Sequence, residues 1–371
     1  MSDTQKHTKP NVPNLRFPGF SDEWESRKIG EDCAVYMCKR IFANQTSDQG
    51  DVPFFKIGTI GGTPDAYISK DLFEEYRAKY NYPRKGEVMI TCAGTVGKTI
   101  VFDGEDAYFQ DSNIVWLSNP KQLYINPFLN YVLSRVNWNK LNSTTITRIY
   151  NDNLRELVIN FPTVKEQEKV VALLSILDQR IAIQNKVIEK YESLIKALAY
   201  EIIGKNTANK TLSECVCCTS STLKESDLGG HGAIPAYGAA GISGFTDNAL
   251  SDEDSILITK DGSGVGSLRY VNGSHSFVGT LNSMTPQEGV YLPYIYYALQ
   301  NVCFERYRTG QAIPHIYFKN YGKEAIYCPS FDNQKRLAKG FEMIDTKIGI
   351  ERAVLQSLQS AKAYLLSAMF I

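Results

Sequence analysis

From residue 170 the chain settles into steps of four and three. Val170, Leu174, Leu177, Ile181, Gln184, Ile188, Tyr191, Ile195, Leu198 and Ile202 follow one another without a break. That spacing is the a/d seam of a coiled-coil helix, apolar except at Gln184. The pattern returns 167 residues later as Leu337, Phe341, Ile344, Ile348, Glu351, Leu355, Leu358, Lys362, Leu365 and Met369. It is polar again at the midpoint, and Lys362 is its one further departure. Both runs share an entry: "INFPTVKEQEKV" at 159–170 and "IYCPSFDNQKRL" at 326–337 set a glutamine five residues after a proline. Thr163 and Glu166 have the spacing of a capping box. A helix over 166–203 would be roughly 57 Å long at 1.5 Å per residue. No small domain covers such a stripe alone, so the two helices are expected to bury each other, antiparallel as a pseudo-two-fold duplication requires.

Upstream of each helix the pattern changes to short apolar strands broken by glycine turns. "VMITCAGTVGKTIVF" at 88–102 answers "ILITKDGSGVGSLRY" at 256–270, and "TTITRIYNDNLRELVINFP" at 144–162 answers "QAIPHIYFKNYGKEAIYCP" at 311–329. A period this long means a duplicated domain and not a solenoid. The expected fold class is α+β. Residues 1–19 form a loose polar tail, 20–160 one variable domain, 161–204 the first long helix, 205–327 the second variable domain and 328–371 the second long helix.

Composition narrows the function. The 371 residues suffice for two cores. The chain shows neither a secretory leader nor a run of the roughly 18 apolar residues a membrane span needs, so a cytoplasmic protein is expected. Net charge is zero and locally balanced, with 19 basic and 19 acidic residues over 1–158. A protein that held nucleic acid unaided would show a basic excess. Eight cysteines and four histidines fall at no zinc-ligand spacing, so no metal is expected and the thiols read as buried and free. "CAGTVGKT" at 92–99 has the second half of a P-loop, but Cys92 stands where the first glycine belongs and Ser267 replaces the lysine in the twin. The motif holding a base for methylation is absent, as is a nuclease acid–lysine set. No catalytic residue is assigned.

"NVPNLRFPGFSDEWESRKIGE" at 11–31, the "GTVGK" and "GVGS" turns and the paired P-x-x-x-x-Q entries resemble the specificity subunit of Type I restriction–modification enzymes. One departure is Asn333 before Gln334, where the family often has glutamate. The resemblance implies a non-catalytic DNA reader. Each variable domain, a target-recognition domain, would read half of a bipartite asymmetric site. The helices would space the domains and dock two methyltransferase (modification) subunits, with restriction translocase–nuclease subunits outside. S-adenosylmethionine, ATP and Mg would belong to those partners, and no cofactor to this chain. Double-stranded DNA would be met by Lys56, Thr95, Lys98, Asn113, Thr145, Arg148 and Tyr150 in the first domain. In the second, Lys260, Ser263, Asn282, Gln311, His315 and Tyr317 would serve. Arg148 and Gln311 suit bidentate contacts to guanine and adenine. Gly94, Gly97, Gly262 and Gly266 would shape the turns. Two other readings stand beside this one: a coiled-coil adaptor without a DNA role, and the specificity region of a self-contained restriction–methyltransferase.

Overall fold

The computed structural model describes residues 11–138, 148–229, 232–310 and 313–371. Two compact units emerge, Met1–Ala182 with Gln356–Ile371, and Ile183–Leu355. They are built alike.

In the first unit a four-stranded antiparallel sheet runs in the order Ala34–Met37, Ile114–Ser118, Val88–Thr91, Thr99–Val101. A three-stranded sheet has Val52–Phe55 at its centre, antiparallel to Tyr67–Ile68 and parallel to Tyr108–Phe109. Glu25–Lys28 pairs with Val158–Phe161. The second unit repeats each sheet. Its four strands are Val216–Ser220, Leu281–Pro286, Ser255–Thr259 and Leu268–Val271. Its three strands centre on Ile234–Gly238, and Lys210–Thr211 pairs with Ala325–Ile326. The strand Val88–Thr91 is buried throughout because both of its faces are covered. Val88 and Ile90 join the core with helix Asn126–Ser134, while Met89 joins the core of the three-stranded sheet. Its twin divides in the same way, with Ile256 and Ile258 on one side and Leu257 on the other.

The long helices span Val164–Ala199, continuing as a π turn over Tyr200–Gly204, and Phe331–Ala368. They pair antiparallel. In the first unit Val170 and Leu174 are buried and Leu177 and Ile181 half-buried; opposite them Leu358 and Leu365 are half-buried and Met369 buried. Lys362 is accommodated there by an ion pair with Asp178 and by the Tyr131 ring, 5.6 Å from its Nζ. In the second unit Ile188, Ile195, Phe341 and Ile348 are buried, with Leu198, Leu337, Ile344 and Leu355 half-buried. The midpoint residues meet, as Gln184 Nε2 donates to the Glu351 carbonyl at 3.0 Å and to its carboxylate at 2.5 Å. Lys347 completes this polar contact at 2.7 Å from Glu351, and these partners hold the Glu351 carboxyl below its ordinary range.

The repeated glutamine is a clamp. Gln167, fully buried, accepts from the Ile125 N–H at 2.8 Å and donates to the carbonyls of Leu123 and Pro162 at 2.9 and 2.8 Å. Gln334 does the same with the Tyr291 N–H and the Pro329 carbonyl, both at 2.8 Å. Each glutamine ties the first turn of a long helix to the residue preceding a short one, Asn126–Ser134 or Leu292–Ala298. Glu166 departs from the capping box expected of it. Its buried carboxylate takes two hydrogen bonds from Arg16, at 2.7 and 2.8 Å. The loose tail expected over 1–19 is corrected by the same contact. From residue 11 the segment is anchored, since Asn11 bonds main chain to main chain with Trp24 and the Leu15 N–H reaches the Ala368 carbonyl at 2.8 Å. The thiols need a correction too: five are buried and Cys218 half-buried, but Cys217 and Cys303 are exposed.

Candidate nucleic-acid interface

Each four-stranded sheet ends in a glycine turn between its two last strands. In the first unit Gly94 and Gly97 hold φ of +64° and +82°, a region costly to any side chain. A Cβ at Gly97 would also collide with the Trp138 ring. In the second, Gly266 at φ +86° sits on Phe304, 2.7 Å from where a Cβ would lie. The turns close identically: the Gly97 N–H reaches the Thr91 carbonyl and the Gly266 N–H the Thr259 carbonyl, both at 2.8 Å. The second turn is one residue longer.

A loop docks beside each turn through the main chain. The Ile149 N–H donates to the Cys92 carbonyl at 2.8 Å, and Cys92 in turn donates to the Asn113 carbonyl at 2.8 Å. The Ile316 N–H donates to the Lys260 carbonyl at 2.9 Å, and Lys260 donates to the Thr280 carbonyl at 2.9 Å. Cys92 and Lys260 are therefore structural twins. Burial pushes the Cys92 thiol up to about 11 against the opposing pull of Arg148, consistent with a packing role.

These dockings present one matched pair per unit. Arg148 donates to the Ser112 hydroxyl at 3.2 Å and carbonyl at 3.4 Å, with its guanidinium 6.0 Å from the Tyr150 ring centre. Tyr150 is 60% exposed, just ahead of helix Asn151–Arg155. His315, at the position of Arg148, has Nδ1 2.6 Å from Asp261 Oδ1, and its ring stacks near Tyr317 with centroids 6.4 Å apart. Tyr317 is 49% exposed, ahead of helix Phe318–Tyr321. Neither tyrosine is a core residue.

Thr95 and Ser263 are exposed on their turns. Lys98 is exposed but tethered, its Nζ donating to the Ile60 carbonyl at 2.5 Å. That bond brings the loop of Lys56 alongside. Lys56 pairs with Asp65 at 3.1 Å and lines a 400 Å³ cleft with Arg40, Phe42, Gln110 and Asp111. Asn113 is half-buried and Lys260 half-buried, both held by the main-chain bonds above. Asn282 is a correction. It is 4% exposed, accepts from the Ser220 hydroxyl at 2.8 Å and donates to the Tyr321 hydroxyl at 3.2 Å, so no base edge can reach it. The true twin of Asn113 is Thr280, and matching asparagine to asparagine misplaced the position by two residues. Thr145 and Gln311 lie outside the described residues. The repeat gave no signal for Arg40 and Phe42, which lie where the halves differ, nor for Lys319, whose twin in the matched block is Asp152. Arg40 pairs with Asp111 at 2.5 Å, Phe42 is 59% exposed, and Lys319 Nζ lies 5.4 Å from the Tyr317 ring.

Among the described residues no histidine, cysteine or carboxylate group forms a metal-binding cluster, and no helix is long and apolar enough to cross a membrane.

Known proteins match this architecture. A crystal structure of a Type I restriction–modification system S subunit from M. genitalium is similar over 97% of this chain and 99% of its own, with a TM-score of 0.62 at 22% identity. A second structure, described as the basis of complex assembly and conformational transition of the type I restriction–modification system, aligns over 95% and 98% with a TM-score of 0.53 at 16% identity. A putative type I restriction enzyme specificity subunit of Haemophilus influenzae is 48% identical over 162 residues, 44% of this chain and 41% of that protein. The putative MjaX specificity subunit of Methanocaldococcus jannaschii is 23% identical over 216 residues, 54% and 50% of the two lengths. The chain thus spans half or less of the curated relatives it matches. The model of the Type I restriction modification DNA specificity domain matches twice, over residues 21–193 and 209–360, once for each half of the duplication, and the chain belongs to that family.

Proposed function

We propose that the chain is the DNA-reading subunit of a Type I restriction–modification complex, recognising a bipartite asymmetric site with one target-recognition domain on each half. The observation that carries this reading is a single frame filled twice with different side chains. Glycine turn, docked loop and exposed tyrosine recur in both units, while the reading positions hold Thr95, Lys98 and Arg148 in one and Ser263, Ser267 and His315 in the other. A frame kept constant under changing donors and acceptors is what base-edge recognition requires, because sequence is read by hydrogen-bond pattern. Arg148 presents donors only, which suits the acceptor pair of guanine.

The domains extend over 20–160 and 205–327 in this reading, with the helices over 161–204 and 328–371 serving as spacer and as dock for two methyltransferase subunits. Restriction translocase–nuclease subunits join outside. Adenine methylation and cleavage, and the S-adenosylmethionine, ATP and Mg they need, belong to those partners. The neutral charge of the chain fits a division of labour in which partners make most phosphate contacts. The test is binding of duplex DNA by the chain with and without its cognate methyltransferase subunit, followed by mapping of the methylated site. Tight sequence-specific binding only in the joint complex supports the reading; a complex that methylates without sequence preference refutes it.

A further inference from the structure

The duplication leaves one polar site filled in the first unit and open in the second. In the first, the Tyr131 hydroxyl donates to Asp178 at 2.7 Å, and Lys362 pairs with the same carboxylate beside the Tyr131 ring. In the second, the Tyr297 hydroxyl donates to Asp345 at 2.5 Å in the same way. The position equivalent to Lys362 is Ile195, which is 7% exposed and carries no charge. No cation replaces it: among the described residues Asp345 has no ion pair. Arg352 is spent on Glu192 at 2.6 Å, Lys347 on Glu351 at 2.7 Å, and Arg269 lies over the Tyr237 ring.

What stands there instead is a cavity of about 890 Å³. Tyr270, Tyr291, Tyr296 and Tyr297 wall it, and Asp345 and Glu342 lie on its helical side. Tyrosine rings beside a carboxylate are the ordinary surroundings of a bound ammonium group, as the Tyr131 ring and Asp178 are around Lys362. The first unit shows which ammonium the frame accepts.

We infer that this cavity receives a lysine side chain presented by a partner protein, whose ammonium takes the Asp345 carboxylate as Lys362 takes that of Asp178. A protein is the source, and not a free polyamine, because the rim carries both signs. Lys196, Arg269 and Arg352 stand among Glu192, Asp254 and Glu342. Such a near-balanced rim offers little net field to concentrate a polycation, whereas its alternating signs complement a folded surface of mixed charge. The inference is independent of the DNA reading, and its test needs no DNA.

The test is saturation-transfer NMR on the full chain with Nα-acetyl-lysine amide, against Nα-acetyl-norleucine amide, which has the same stem without the ammonium. The lysine probe should bind at least tenfold more tightly than the norleucine probe. Asp345→Asn should lose that preference, and Ile195→Lys, which supplies the missing ammonium internally, should lose it too. Asp178→Asn should keep it. Circular dichroism confirms folding, and Asp345→Asn carries the test should Ile195→Lys fail to fold. Equal binding of the two probes, or a preference that survives Asp345→Asn, overturns the inference. Spermidine binding more tightly than the lysine probe overturns the assignment to a protein lysine.

Discussion

Replacing Gln167 with leucine removes a clamp while keeping nearly the same volume. The side chain is fully buried and makes three hydrogen bonds, one from the Ile125 N–H and two to the carbonyls of Leu123 and Pro162. Leucine satisfies none of them. A buried main-chain group stripped of its partner costs about 1–3 kcal/mol, more where water cannot enter. With one donor and two acceptors orphaned, the loss should be roughly 3–5 kcal/mol. At a urea dependence of roughly 3 kcal/mol per M, that lowers the midpoint by about 1–2 M. The assay is urea unfolding followed by tryptophan fluorescence. Trp24, Trp116 and Trp138 all lie in the Met1–Ala182 segment, so the signal reports the first unit. Gln334→Leu, its twin, should leave the tryptophan transition nearly in place and move the far-ultraviolet transition instead. A tryptophan midpoint that falls by less than about 0.3 M in Gln167→Leu, with the slope unchanged, would mean that the three hydrogen bonds add little stability. The glutamine would then be replaceable by packing alone.

The glycine turns make a second expectation: Gly97→Ala combines a left-handed backbone with a collision on Trp138, and should cost about 2 kcal/mol or more, read as a lower Tm, while Gly262→Ala, with open space at its Cβ, should cost less. Tyr150→Ala and Tyr317→Ala remove exposed rings, so stability should change by within about 0.5 kcal/mol, while DNA affinity of the assembled complex falls about tenfold in titrations at fixed salt; unchanged affinity for both would remove them from the interface. The Glu351 carboxyl, held low by Lys347 and Gln184, has a folded pKa below its unfolded one. Its contribution is therefore present above the ordinary carboxylate range near pH 4.3 and lost as pH falls through the folded value. Thermal melts of wild type and Glu351→Gln should differ at pH 7 and converge only as pH falls past the ordinary carboxylate range through the lowered folded value; a gap constant with pH would contradict this.

The long helices were the most legible part of the sequence because burial of one stripe repeats every 3.5 residues and survives any change elsewhere. Gln184 and Glu351 stood out as polar positions in that stripe, and their contact follows from antiparallel overlap. The glycine turns were legible as well, since few residues tolerate positive φ. Side-chain destinations were not. Glu166 has a capping spacing, yet Arg16, 150 positions earlier, takes both of its oxygens, and no local pattern encodes that partner. Asn282 looked like the twin of Asn113 by residue type, whereas main-chain hydrogen bonding assigns that role to Thr280. Sequence periodicity reports which face is buried, and only the register of the strands tells which of two neighbouring residues faces out. Arg40 and Phe42 escaped notice for the opposite reason. They belong to the stretches in which the two halves share nothing, and there a repeat offers no guide.

If each unit reads its own half of the site, methylome mapping of a domain-swapped hybrid shows it. Residues 205–327 are replaced by the corresponding segment of a relative with a different target, and the hybrid is expressed with the cognate methyltransferase subunit. One half of the methylated sequence should change and the other stay as in the wild type. A hybrid that methylates actively with both halves changed, or with neither changed, would contradict it.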